Sequence, residues 1–128
     1  MATVLVIDDE ESIRNLLDTL LSRKGYEVVV ASSGQRGLEL FRRKRPDVVV
    51  LDLKMPEMDG IAVLRQVRQL HPTQPVVILT GAGTAEAEQQ VRALGVTDYV
   101  EKEFSLYRLA DALKRLLHTP HAAMTTKR

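Results

Sequence analysis

Five polar side chains that could do chemistry stand at the ends of short apolar runs. Asp8 and Asp9 follow the first run, and Asp52 follows a later one. A hydroxyl, Thr80, and an ammonium, Lys102, stand at the ends of two more. Carboxylates held close together repel one another, and Mg²⁺ binds readily to oxygen ligands of this kind. A carboxylate nucleophile beside a divalent cation, a lysine and a hydroxyl is equipped for phosphoryl transfer.

These residues meet only if the apolar runs are neighbouring parallel strands. The runs are short and rich in β-branched residues, which is typical of strands buried on both faces. They are Val4–Ile7, Val28–Val30, Val48–Leu51, Val76–Leu79 and Thr97–Val100, and the last is more polar, as expected of an edge strand. In an open parallel sheet, ligands bind at the carboxyl ends of the strands, so we predict that the five side chains converge there.

Helical patterns separate the runs, because apolar residues recur at intervals of three and four. In chain order the inward residues are predicted to be Ile13, Leu16, Leu17, Leu20 and Leu21; Leu38 and Phe41; Val63, Leu64, Val67 and Leu70; Ala87, Val91 and Leu94; and Leu106, Leu109, Leu113, Leu116 and Leu117. Gly25, Pro46 and Pro72 end the first three helices, while the second and fourth begin near Ser32–Ser33 and Thr84. The alternation predicts an α/β domain with a parallel sheet and right-handed crossovers.

Composition narrows the class of protein. A length of 128 residues suits one domain, predicted to span residues 1–117, with 118–128 as a disordered tail that lacks an apolar period. The absence of cysteine excludes disulfides and favours a reducing cytoplasm. A net charge of +1, from 18 basic and 17 acidic residues, predicts neither nucleic acid nor membrane as a partner. The first apolar run is too short to cross a bilayer.

Each polar residue also has an ordinary structural explanation. Asp8 and Asp9 precede a helix, where acidic residues often cap the first turn. Thr80 alone is typical of a strand end, and Lys102 alone is typical of a solvated surface. Asp52 is harder to explain in this way, because a carboxylate at the end of a buried strand needs a partner. Their conjunction at matching strand ends favours a site.

The sequence resembles the receiver domains of bacterial two-component response regulators. The stretches that carry the resemblance are Val6–Glu10, Val50–Gly60, Leu79–Gly81 and Asp98–Lys102, and it extends over residues 3–117. It implies a flavodoxin-like (βα)5 three-layer sandwich with strand order 2-1-3-4-5. It also implies a switch that receives a phosphoryl group from a sensor histidine kinase or phosphotransfer protein.

The resemblance assigns roles around the predicted metal. Asp52 resembles the phosphoacceptor. Asp9, Asp52 and the backbone carbonyl of Lys54 would ligate Mg²⁺ directly, and Asp8 would hold it through water. The chain would not be a conventional enzyme, since it would catalyse only its own aspartyl phosphorylation and slow dephosphorylation.

The resemblance also implies a switching mechanism. Thr80 would hydrogen-bond the phosphoryl group, and Lys102 would pair with one of its oxygens. Tyr99 occupies the family's switch-aromatic position and would rotate inward, the alternative being a half-exposed aromatic on an edge strand. Gly81–Gly83 and the fourth helix, with its thin apolar stripe, are predicted to be the most mobile part. The changed surface would contact an effector protein, a separate output domain or a second copy in a homodimer.

One position departs from the family, because Glu103 stands where proline is usual. A cis bond before a non-proline residue costs about 2.5–4 kcal/mol, so the Lys102–Glu103 bond is predicted to be trans and its loop rearranged. Glu103 is the one feature that favours a phosphorylation-independent scaffold. A third function, a phosphatase with an aspartyl-phosphate intermediate, needs a general acid at Lys54, and lysine is a poor acid at neutral pH.

Overall fold

The computed structural model describes residues 1–81, 83–101 and 105–117. Its elements are β1 (Thr3–Ile7), α1 (Glu11–Arg23), β2 (Glu27–Ala31), α2 (Gly34–Lys44), β3 (Val48–Leu51), α3 (Gly60–Leu70), β4 (Val76–Thr80), α4 (Ala85–Ala93), β5 (Asp98–Glu101) and α5 (Ser105–Leu117). All strand pairs are parallel, and their order is β2-β1-β3-β4-β5. The predicted flavodoxin-like topology is therefore confirmed.

Two apolar cores lie on opposite faces of the sheet, because successive strand side chains point in opposite directions. On β1, Leu5 and Ile7 join the core that contains buried residues of α2, α3 and α4. Val4 and Val6 join the other core, which contains buried residues of α1 and α5. Each fully buried aliphatic side chain contributes about 1.5–3 kcal/mol, so both faces must be covered by helices.

Side-chain caps at Ser33, Asp59 and Thr84 mark where α2, α3 and α4 begin. Ser33 Oγ accepts a hydrogen bond from Arg36 N, and Thr84 Oγ1 accepts one from Ala87 N. These caps confirm the predicted starts of α2 and α4, since each satisfies a backbone N–H that the first turn leaves unbonded. The residue before α1 is Glu10, and its side chain makes no capping hydrogen bond.

Two predicted inward residues are wrong. Leu16 and Leu70 are 45% and 47% exposed, although both fit the helical period. On α1 the fully buried positions are Leu17 and Leu21, one turn apart, and this narrow contact with the sheet leaves Leu16 outside it. Leu70 is the last residue of α3 and lies at the rim of the domain.

Several predictions fall outside the described residues. These are the position of Lys102, the trans bond to Glu103, the side chains of Leu106 and Leu116, and the tail 118–128. The fifth strand begins at Asp98 rather than Thr97, whose hydroxyl instead accepts a bond from Val76 N. In the described part of the chain, no helix is both long and apolar enough to cross a membrane.

Candidate functional site

Three carboxylates meet at the carboxyl ends of β1 and β3. One oxygen from each of Asp8, Glu10 and Asp52 lies within 4.8 Å of the others. Asp8 is 1% exposed and Asp52 is 3% exposed, while Glu10 lies at the surface. Carboxylate oxygens grouped in this way are the hard donors that a divalent cation prefers.

The turn between β1 and α1 decides which acidic side chains face the pocket. The chain bends at Asp9, and Glu10 has φ −86° and ψ 116° just before α1 begins. Carboxylate oxygens of Asp8 and Glu10 lie close together across this bend, whereas Asp9 is exposed and lies outside the carboxylate group. Asp8 Oδ1 accepts a hydrogen bond from Glu10 N at 2.9 Å, and the carbonyl of Asp8 accepts one from Arg14 Nη1 at 2.9 Å.

Backbone hydrogen bonds continue past the strands and fix Asp8 and Asp52 in place. Asp52 N donates to Ile7 O at 2.9 Å, and Asp8 N donates to Ala31 O at 3.1 Å. Lys54 N in turn donates to Asp52 Oδ1 at 3.2 Å, which orients that carboxylate. The two aspartates are thus held by the sheet itself rather than by a flexible loop.

Gly60 lets the start of α3 approach the chain just after Asp52. A Cβ at this position would overlap the carbonyl oxygen of Asp52 and crowd Leu53 Cα. Gly60 N donates to Leu53 O at 2.9 Å across the same contact. In the intervening loop, Glu57 has φ 61°, a left-handed conformation that glycine adopts more readily. The Met-Pro-Glu-Met-Asp-Gly stretch therefore forms a tight loop beside the carboxylates.

Thr80 ends β4 next to β3, with its side chain fully buried. Its Oγ1 has no hydrogen-bond partner among the residues that the structure describes. A buried hydroxyl without a partner costs about 1–3 kcal/mol, so such groups are usually satisfied by a ligand, water or ion. The arrangement is that of a donor available to an incoming acceptor.

Tyr99 on β5 is 8% exposed. The alternative interpretation, in which Tyr99 is a half-exposed aromatic on an edge strand, is therefore wrong. A Cβ on Gly83 would overlap its hydroxyl, and Thr80 Cγ2 lies 3.2 Å from that same Cβ position. Arg92 lies over the ring, 5.8 Å from its centroid. Burial raises the pKa of Tyr99, as do the charges of Glu88 and Glu101, while Arg92 lowers it.

The structure brings together part of the predicted site and adds one residue to it. Asp8, Asp52 and Thr80 stand at the carboxyl ends of neighbouring strands, as predicted. The metal-ligand role of Asp9 stays a prediction. Glu10 was missed, because its place beside Asp8 depends on the bend of the chain at Asp9, which no periodic pattern in the sequence reveals.

The family description "Response regulator receiver domain" matches residues 4–114. The chain belongs to this receiver-domain family. It is 33% identical to sporulation initiation phosphotransferase F of Bacillus subtilis over 114 residues, which are 89% of this chain and 92% of that protein. The solved chemotaxis protein CheY4 of Vibrio cholerae has a TM-score of 0.85 at 34% identity, covering 91% of this chain and 99% of that one.

Other relatives of the receiver domain are longer proteins. The probable transcriptional regulator ycf27 of Guillardia theta is 41% identical over 120 residues, which are 94% of this chain and 47% of that protein. The regulatory protein AtoC of Escherichia coli is 37% identical, and the match covers 25% of it. The chain thus spans half or less of these relatives, and the family places it in two-component signal transduction as a phosphoacceptor module.

Proposed function

We propose that this receiver domain accepts one phosphoryl group on Asp52 with Mg²⁺ held in the acidic pocket. The observation that carries the proposal is the convergence of oxygens from Asp8, Glu10 and Asp52 within 4.8 Å. Two of these carboxylates are nearly inaccessible to solvent, where concentrated negative charge is costly without a cation. We also propose that the receiver domain occupies residues 1–117.

The donor set fits a hard divalent cation. Asp8, Glu10 and Asp52 offer carboxylate oxygens, and the family resemblance adds Asp9 and the carbonyl of Lys54. Once bound, Mg²⁺ supplies positive charge that offsets the carboxylates and attracts phosphoryl oxygens. The geometry adds Glu10 to the predicted ligands, at the solvent side of the pocket.

Asp52 is the nucleophile in the proposed reaction. One of its carboxylate oxygens attacks phosphorus, and a new O–P bond forms. The bond from phosphorus to the donor's imidazole nitrogen breaks, and the electron pair stays on that nitrogen, which then takes a proton from water. The Lys54 N–H orients the attacking carboxylate through Oδ1, so positioning contributes much of the rate.

Thr80 and Lys102 are proposed to recognise the phosphoryl group after transfer. The buried Thr80 hydroxyl would donate to a phosphoryl oxygen, which would satisfy the group that lacks a described partner. Lys102 would pair with another oxygen, as the family resemblance implies. Movement of Thr80 would alter the space that it shares with Gly83 and the Tyr99 hydroxyl, and this shared space is the proposed route to the switch surface.

Intact-mass measurement with Mg²⁺ and a small phosphodonor tests this function. We expect a gain of one phosphoryl group that disappears in Asp52→Asn and on chelation of Mg²⁺. Glu57→Gln is the matched control, because it removes an exposed carboxylate from the same loop. An adduct that survives Asp52→Asn would contradict the proposal, absence of any adduct would favour a scaffold, and continuous donor turnover would favour a phosphatase.

The partners are proposals of the same kind. The phosphodonor would be a sensor histidine kinase or a phosphotransfer protein. The readout would be an effector protein, an output domain or a second copy of the receiver. The relatives include a protein that is matched over 92% of its length and a much longer one that is matched over 25%. A separate effector protein and an attached output domain are therefore both reasonable readouts.

A further inference from the structure

A surface cavity of about 350 Å³ lies at the far end of the domain from the carboxylates. The cavity lies where α2 and α3 end. Pro46 and Gln74 also line it, and they come just before β3 and β4 in the chain. The acidic pocket is at the carboxyl ends of these strands, so the cavity is at their opposite ends. Nothing in the proposed phosphoryl transfer uses it.

The wall of the cavity is mixed, because Phe41, Pro46 and Leu70 are apolar while His71 and Gln74 are polar. Phe41 is 6% exposed and anchors α2 in the core, while Leu70 beside it is 47% exposed. Pro46 is buried and adds a rigid apolar wall. Single exposed leucines are common on protein surfaces, but Leu70 lines a concave site beside Phe41 and Pro46, where its side chain offers apolar surface to a ligand.

The rim of the cavity is strongly basic. Arg42, Arg43, Lys44 and Arg45 form an uninterrupted run of exposed cations, and Arg42 and Arg45 line the cavity. No ion pair joins any of the four to another described residue.

The two nearest carboxylates in sequence are already engaged. Glu39 pairs with Arg36 at 3.0 Å, and Asp47 Oδ2 accepts from Thr3 N at 2.7 Å. The even overall balance of charge therefore conceals a local excess of three positive charges at one end of α2, since the neutral N–H that Asp47 accepts from leaves the charge of that carboxylate in place.

The position of the basic run at a helix C-terminus has an ordinary benefit as well. Cations there interact favourably with the last carbonyl groups of the helix. This benefit explains the charges of the run but not the neighbouring cavity or the exposed side chain of Leu70. The combination of a partly apolar cavity with a cationic rim is what points to a ligand.

We propose that this cavity binds an acidic peptide segment of a partner protein. One apolar side chain of the segment would insert against Phe41 and Leu70, and flanking carboxylates would face Arg42 and Arg45. The tail 118–128 of this chain contains no Asp or Glu, so it lacks the complementary charge. The apolar part of the wall favours a peptide over nucleic acid, whose backbone would engage the cations but leave the cavity unfilled.

Fluorescence anisotropy tests the proposal with a short labelled peptide of Glu and Asp around a central Leu. We expect saturable binding that weakens about fivefold when the central Leu of the peptide is replaced by Ser. The double variant Arg42→Gln/Arg45→Gln should weaken binding about tenfold. Its control, Arg43→Gln/Lys44→Gln, removes the same charge beside the cavity and should change affinity by no more than about twofold.

A second pair of variants, one in the cavity and one control, tests the apolar part of the site. Leu70→Asn should weaken binding about fivefold, whereas Leu16→Asn, at a similarly exposed leucine on α1, should leave it unchanged. Both leucines are half exposed, so folding should persist, and amide shifts in NMR spectra should map to residues 41–46 and 70–74. Absence of saturable binding, equal loss in both charge variants, or equal affinity for an oligothymidylate would overturn the proposal.

Discussion

At the scale of single residues, Thr80 has a buried hydroxyl without a described partner. Thr80→Val keeps the shape and removes the hydroxyl, so we expect the resting protein to gain about 1 kcal/mol in free energy of unfolding. The same variant should lose the phosphoryl contact and therefore weaken switching. Urea denaturation without phosphodonor measures the first effect.

Thr97→Val is the matched control for that experiment. The Thr97 hydroxyl accepts a bond from Val76 N at 3.3 Å, so its removal should destabilise the protein by about 0.5–1.5 kcal/mol. Equal destabilisation by the two valine variants would show that the Thr80 hydroxyl is already satisfied in the resting protein.

The backbone of Glu57 is strained, because this non-glycine residue has φ 61° in the loop beside the carboxylates. Glu57→Gly should raise the free energy of unfolding by about 0.5–1 kcal/mol, since a left-handed conformation costs 1–2 kcal/mol for other residues and glycine recovers only part of it. Thermal or urea denaturation measures this gain. Glu57→Ala removes the same carboxylate but keeps the strain, so a gain as large as that of glycine would argue for a charge effect instead.

At the scale of elements, hydrogen bonds from Arg68 join α3 to the turn between α4 and β5. Its guanidinium donates to three carbonyl oxygens, those of Leu94 at 2.6 Å, Gln74 at 2.7 Å and Gly95 at 2.8 Å. Burial lowers the pKa of this group. Arg68→Lys should cost about 1–2 kcal/mol of stability, because one ammonium cannot reproduce the planar set of donors.

Denaturation of Arg68→Lys is best compared with that of Arg65→Lys. Arg65 is exposed on the same helix, and its replacement should change stability by less than about 0.5 kcal/mol. Hydrogen exchange in the α4–β5 turn should accelerate in Arg68→Lys alone. Similar losses in the two variants would mean that the three carbonyl bonds add little.

The fourth helix is predicted to be less stable than the third. In α4 the buried residue is Val91, whereas α3 buries Gly60, Val63, Leu64 and Val67. Few buried apolar contacts lower the free energy of local opening, so amides of α4 should exchange faster with deuterium than those of α3. Equal protection of the two helices would contradict both this expectation and the assignment of α4 to the moving part.

At the scale of the whole molecule, each of the two cores contains one buried tyrosine among the side chains that the structure describes. Tyr26 belongs to one core and Tyr99 to the other, and burial raises the pKa of both above the ordinary value of 10.0. A raised folded pKa means that the native state holds its proton longer than the unfolded chain does. The resulting stability is fully present below pH 10 and is lost as pH rises through the folded pKa.

Tyr26→Phe and Tyr99→Phe should each flatten the alkaline loss of stability. Phenylalanine keeps the ring in the core and cannot ionise, so its variant no longer favours the unfolded state at high pH. Urea denaturation between about pH 8 and pH 11 measures the effect. Parallel pH profiles for the variants and the natural sequence would show that neither tyrosine governs alkaline unfolding.

The sequence by itself determined the order of elements and the edge where the site forms. Continuous β-branched runs can be buried only in a sheet covered on both faces, and the polar residues that end them must then share one edge. Asp8, Asp52 and Thr80 were therefore predictable from their positions, and so were the helix starts at Ser33 and Thr84.

The tertiary structure decided which neighbours those residues have. Glu10 rather than Asp9 joins the carboxylate group, because the chain bends at Asp9 between β1 and α1. Leu16 and Leu70 are exposed because burial depends on what lies across from a helix as well as on its own period. Leu70 also lies beside Arg42 and Arg45. These three residues line one cavity, although they come from two helix ends that are distant in sequence.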